Sequence, residues 1–110
     1  MTYRVFVTSR ARLQLSQAAL WWAEHRSIEQ SQRWSAGFEQ AIGKLAMNPE
    51  RHALARESQL YDLTNPVRQL VYGLSAKPTH RALFEIRGDT VYVVAIRHLA
   101  QDDSSAEDLR

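Results

Sequence analysis

Residues 79–98 read THRALFEIRGDTVYVVAIRH, two alternating apolar runs that meet at Gly88-Asp89, a dipeptide able to supply the positive φ of a tight hairpin turn. With a two-residue loop Arg87 pairs with Thr90, and that pairing sorts every side chain between two faces. Ala82, Phe84 and Ile86 then lie opposite Ala95, Val93 and Val91 as one wholly apolar face. Arg81, Leu83, Glu85 and Arg87 share the other face with Tyr92, Val94, Ile96 and His98. Val91 to Ile96 is apolar on both faces, which predicts a central strand. The rest of the chain has to supply a cover for the apolar face.

Working outward, residues 67–74, VRQLVYGL, alternate as a strand, and Ser75-Ala76-Lys77-Pro78 forms the turn into the hairpin. At the other end residues 3–8, YRVFVT, make a short strand. Thr8 or Ser9 caps a helix over residues 9–25, whose stripe of Ala11, Leu15, Ala18, Ala19 and Trp22 has core spacing. Leu13, Leu20 and Trp21 stand off that stripe, either packing on a neighbouring element or offering a surface to a partner. Ser27-Ile28-Glu29-Gln30 has capping-box form and starts a second helix over residues 28–47, with Trp34, Phe38, Ala41, Ile42 and Leu45 facing inward. Asn48-Pro49 ends it. Gly37 and Gly43 inside it each cost about 1 kcal/mol against alanine, and close approach of a neighbouring element is the expected compensation. The two helices form an antiparallel αα-hairpin. Residues 50–66 are polar and aperiodic, a connection long enough to hold a short turn of structure or a function.

The order is therefore β-α-α-β-β-β, an α+β sandwich in which an αα-hairpin covers one face of an antiparallel sheet. The expected domain is residues 1–100, followed by an acidic, disordered tail over residues 101–110. Without cysteine there is neither a disulfide framework nor a thiolate metal site. No run is long enough to span a bilayer and no signal-peptide h-region is apparent, so the expectation is a cytoplasmic protein without cofactor or metal. Before the tail, residues 1–101 hold eight acids against thirteen Lys and Arg. A basic body favours an acidic partner.

The helix ending LAMNP (residues 45–49), the strands VRQLVYGL and HRALFEI, the partner GDTVYVVAI and the closing Arg97-His98 together resemble the RelE/ParE superfamily of bacterial toxins from type II toxin–antitoxin modules. The resemblance spans residues 3–98. It implies a cognate antitoxin as partner, with Leu13, Leu20 and Trp21 as its docking residues. It also implies one of two targets: the ribosome and messenger RNA for RelE-like nucleases, or DNA gyrase for ParE-like inhibitors. In the nuclease branch Arg81 takes the position of a catalytic arginine, His98 supplies the acid or base, and Arg68 is the one cation on the preceding strand. On the residues alone, Arg81 equally pairs with Glu85 as a surface ion pair. The nuclease pattern usually has lysines on that preceding strand and a tyrosine after the last one, whereas here His98 leads into Leu99-Ala100-Gln101-Asp102. With the long helical hairpin, this tilts the reading towards ParE. A non-toxic binding module on the same fold is the further alternative.

Overall fold

A computed structural model describes residues 2–60 and 65–100. Strand β1 (Arg4–Val7) leads into helix α1 (Ser9–His25) and helix α2 (Ile28–Gly43). Both helix starts are capped as the sequence predicts. Thr8 Oγ1 accepts from the Ala11 N–H at 3.2 Å, and Ser27 Oγ from that of Gln30 at 3.0 Å. The second helix ends earlier than expected, tightening into a 3₁₀ turn over Lys44–Ala46. Asn48 adopts a left-handed conformation (φ 50°) before Pro49, which asparagine tolerates better than most residues. A second 3₁₀ turn (Pro49–Arg51) and the short helix α3 (Arg56–Leu60) follow. Then come β2 (Arg68–Tyr72), β3 (His80–Arg87) and β4 (Thr90–His98).

The four strands form one sheet in the order β1-β4-β3-β2. The expected central position of β4 is thus found. The sheet is mixed rather than wholly antiparallel, because β1 runs parallel to β4 with Arg4 opposite Thr90 and Val7 opposite Val93. The helical hairpin carries the chain back across the sheet face, and it delivers β1 to the edge that the β3–β4 hairpin leaves open.

Ala11 and Leu15 of α1 and Trp34, Phe38 and Ile42 of α2 bury themselves against Ala82, Phe84, Val91, Val93 and Ile96. Burying side chains of this size stabilises by roughly 1.5–3 kcal/mol each. Trp22, expected in this core, is half-buried at its rim. The opposite sheet face also has a cover. Residues 53–58 run beside β2, with the Ala55 N–H donating to Val67 O (2.8 Å) and the Gln69 N–H to Ala53 O (3.0 Å). They close a second, smaller core of Ala55, Val67, Leu83, Val94 and Ala95. Leu83 and Phe84 are consequently both buried, one on each face.

The two helix glycines differ. A Cβ on Gly43 would meet nothing within 4 Å, whereas one on Gly37 would collide with the Tyr72 hydroxyl. That hydroxyl donates to Trp34 O at 3.0 Å while its ring stacks on Phe38 (centroids 4.5 Å apart), fixing how closely β2 and α2 approach. Gly37→Ala is expected to destabilise by about 1–3 kcal/mol through overpacking. In urea melts, the loss in a Gly37→Ala/Tyr72→Phe double variant should fall short of the sum of the singles, whereas strict additivity would disprove the contact.

Candidate functional site

Up to Phe84 opposite Val93 the hairpin pairs as the sequence predicts. There the register shifts. Leu83 pairs with Ala95, leaving Val94 as an extra residue, and Ala82 then faces Ile96, Arg81 faces Arg97 and His80 faces His98. This β-bulge turns the end of β4 over relative to β3. It corrects two expectations. Ile96 belongs to the helix-covered core and Ala95 to the opposite face. Arg81 and His98, expected as neighbours on one face, lie on opposite faces of the sheet. On the covered side His80 pairs with His98, their rings 4.9 Å apart edge to face.

Arg81 is buried beneath α3. Its Nη2 donates to Glu57 Oε2 at 2.6 Å and its Nη1 to Glu57 Oε1 at 2.9 Å, a bidentate pair, with Gln69 Oε1 accepting a further bond at 3.2 Å. The two side chains are 8% and 0% exposed. The expected partner Glu85 instead forms an ion pair with Arg87, whose guanidinium also lies over the Tyr92 ring at 4.7 Å. Arg68, the third nuclease candidate, lies opposite Phe84 and so shares the helix-covered face. Its Nη1 donates to His52 O at 2.7 Å. The structure therefore does not bring Arg81, His98 and Arg68 together. Among the described residues, no three His, Asp or Glu side chains gather as metal ligands would.

A groove of about 620 Å³ lies between α1 and the ends of β3 and β4. Gln14, Gln17, Ala18 and Trp21 line it at one-face helical spacing, with Trp22 deeper and Arg26 at one end. Thr79, His80, Ile96 and His98 line the sheet side. A volume of this size lies in the range of binding pockets. Trp21 is 47% exposed, its indole stacked on His25 at 4.6 Å. Leu13 and Leu20 are 59% and 57% exposed and do not line the groove, forming a separate ridge on α1. Of the three expected docking residues, only Trp21 reaches the concavity. His80 lines the sheet side of the groove. It packs edge-on against Trp34 at 4.9 Å, and Thr79 Oγ1 lies 2.8 Å from its Nδ1. Burial, and secondarily the neighbouring His98, push its pKa down to about 4, so near neutral pH the ring is uncharged.

A helical hairpin laid on one face of a four-stranded mixed sheet, with α3 against the other, defines a small α+β protein of the RelE/ParE-like class. The chain belongs to the ParE toxin family of type II toxin–antitoxin systems: the family described as "ParE toxin of type II toxin-antitoxin system, parDE" matches residues 5–103. A solved structure titled "Chromosomal ParDE TA system from P. aeruginosa" superposes with a TM-score of 0.68 at 13% identity, over 88% of this chain and 96% of that one. At that identity the likeness concerns the fold. No curated protein matches. No helix among the described residues is long and apolar enough to cross a membrane.

Two outcomes follow from this geometry. Removing one partner of the buried pair, by Glu57→Ala or Arg81→Ala, strands a charge and should cost about 3–5 kcal/mol. Replacing both with apolar residues of similar volume, Glu57→Leu with Arg81→Met, should cost far less in the same denaturant titration. For His80 the folded pKa lies below the unfolded value of 6.5. Its contribution is therefore complete above pH 6.5 and is lost as the pH falls towards 4, by about 3 kcal/mol in all. His52 is shifted the same way, chiefly by burial and then by Arg51 and Arg68. Urea midpoints at pH 7 and pH 4.5 should diverge less in His80→Gln than in the wild type. An unchanged gap would refute the assignment.

Proposed function

We propose that this chain is the toxin of a type II toxin–antitoxin module, that it acts by binding DNA gyrase rather than by cutting RNA, and that a cognate antitoxin silences it by occupying the α1–β4 groove. The observation that carries the non-nuclease reading is the engagement of Arg81. Metal-free RNA cleavage needs a cation on the phosphate beside a group that moves a proton. The bidentate bond to Glu57 already satisfies the Arg81 guanidinium, and His98 stands on the other face of the sheet. Neither residue has the other's company.

The groove supports the antitoxin half of the reading. It combines indole surface, amide donors and a terminal cation in a chain whose first 101 residues carry five more basic than acidic residues. That chemistry suits an acidic, amphipathic segment that orders as it docks. The exposed ridge of Leu13 and Leu20 on the same helix extends the apolar surface such a segment can cover.

Purified wild-type protein should inhibit the supercoiling reaction of DNA gyrase and leave messenger RNA intact on programmed ribosomes. Ribosome-dependent cleavage would transfer the protein to the nuclease branch, and soluble accumulation in cells without any growth arrest would favour an inert module. Trp21→Ala should weaken binding to the protein encoded by the adjacent open reading frame by about 1–3 kcal/mol, read by calorimetry.

A further inference from the structure

Helix α1 keeps one stripe that no described element covers. Ser9, Leu13, Ser16, Gln17, Leu20 and Glu24 follow one another along one side of the helix, and all six are exposed. Leu13 and Leu20 stand two helical turns apart at 59% and 57% exposure, with the short Ser16 between them. The buried residues Ala11 and Leu15 lie on the opposite side of the helix, against the sheet.

The charges of α1 run against its own dipole. Its first turn holds Arg10 and Arg12 and no acid, and Glu24 stands in the last turn beside His25. A helix is stabilised by the reverse arrangement, with acids at its start and bases at its end. Among the described residues, neither Arg12 nor Glu24 forms an ion pair.

We infer that this stripe is the contact between two copies of the chain, their α1 helices packed antiparallel about a twofold axis between Ser16 and Gln17. In that register Leu13 of one copy meets Leu20 of the other. Each Glu24 lies over the first turn of the opposite helix, flanked by Arg10 and Arg12, so both helices receive the charge that their dipoles lack. A twofold contact requires this self-complementarity, in which one end of a surface answers its other end. A parallel pair would set Arg12 on Arg12 and Glu24 on Glu24, with like charges opposed throughout. The inference does not rest on the toxin–antitoxin reading. Gln14 and Trp21, which line the groove, lie on the flank of the contact, and a segment that spread from the groove over Leu13 and Leu20 would compete with the second copy. The contact is small, in the class below about 1,200 Å² of buried surface, so the pair forms reversibly and grows with concentration.

Sedimentation velocity over a concentration series, up to a few hundred micromolar, reads the pair. The wild type should pass from monomer to dimer, and a monomer throughout overturns the inference. Glu24→Arg sets cation against cation and should weaken association by about tenfold or more. Adding Arg10→Glu and Arg12→Glu to Glu24→Arg reverses both signs, suits the helix dipole, and should return association to within a fewfold of wild type. A dimer indifferent to Glu24→Arg, or one that the swap does not restore, overturns the interface. Orientation is read with single cysteines, since the chain has none of its own. Ser16→Cys or Gln17→Cys, beside the axis, should oxidise to a linked dimer. Ser9→Cys should not, because antiparallel helices hold the two positions roughly 20 Å apart, against the 7 Å or so between Cα atoms that a disulfide spans. Linking through Ser9→Cys, or through neither axial position, overturns the antiparallel pair.

Discussion

Where β3 moves one residue from Phe84 to Leu83, β4 moves two, from Val93 past Val94 to Ala95. Everything near the sheet's far end depends on that extra residue. It places Ile96 beneath the helices, adds the smaller Ala95 to Val94 on the α3 side, and turns His98 towards His80 and the groove. Bulges commonly re-aim a side chain in this way. Here the re-aiming divides the titratable and cationic residues between two environments. The histidine pair meets the indoles of α1 and α2, and Arg81 meets the carboxylate of Glu57.

The second of these environments explains why so short a helix as α3 stays in place. Five residues cannot sustain a helix by themselves, and the second core beneath the segment is small. The Arg81–Glu57 pair contributes geometry more than net stability, since desolvating two charges offsets much of their attraction. Its bidentate form tolerates little displacement. The segment from Ala53 to Ser58 is thereby held in one position, and a sheet face that would otherwise meet solvent is partly closed.

Elements with local causes were legible in the sequence. Gly88-Asp89 produced the hairpin turn, Thr8 and Ser27 the helix caps, and the Trp34–Phe38–Ile42 spacing the buried face of α2. The bulge was hidden because Val93-Val94-Ala95-Ile96 is apolar without interruption, so no polar residue marks which side faces inward. Glu57 was hidden for another reason. Its partner lies 24 positions away and its own surroundings lack periodicity. Gly37 and Gly43 looked alike in the sequence, and only the arrival of Tyr72 from a distant strand distinguishes them. Of the groove, Trp21 could be singled out as surplus to the core, whereas the contribution of His98 followed from the bulge.

The parallel pairing of β1 with β4 has a consequence for synthesis as well as for shape. Residues 4–7 are made long before residues 90–93, their strand partner among the described residues. Contacts between such distant positions carry a large loop-closure entropy and form late. The helical hairpin, whose contacts are local, can assemble while the partner of β1 has still to be made. The outer edge of β4, and the groove along it, therefore come into being only when translation of this domain is nearly done. For a protein whose action is proposed to depend on that surface, the fold itself delays competence until β4 has been made.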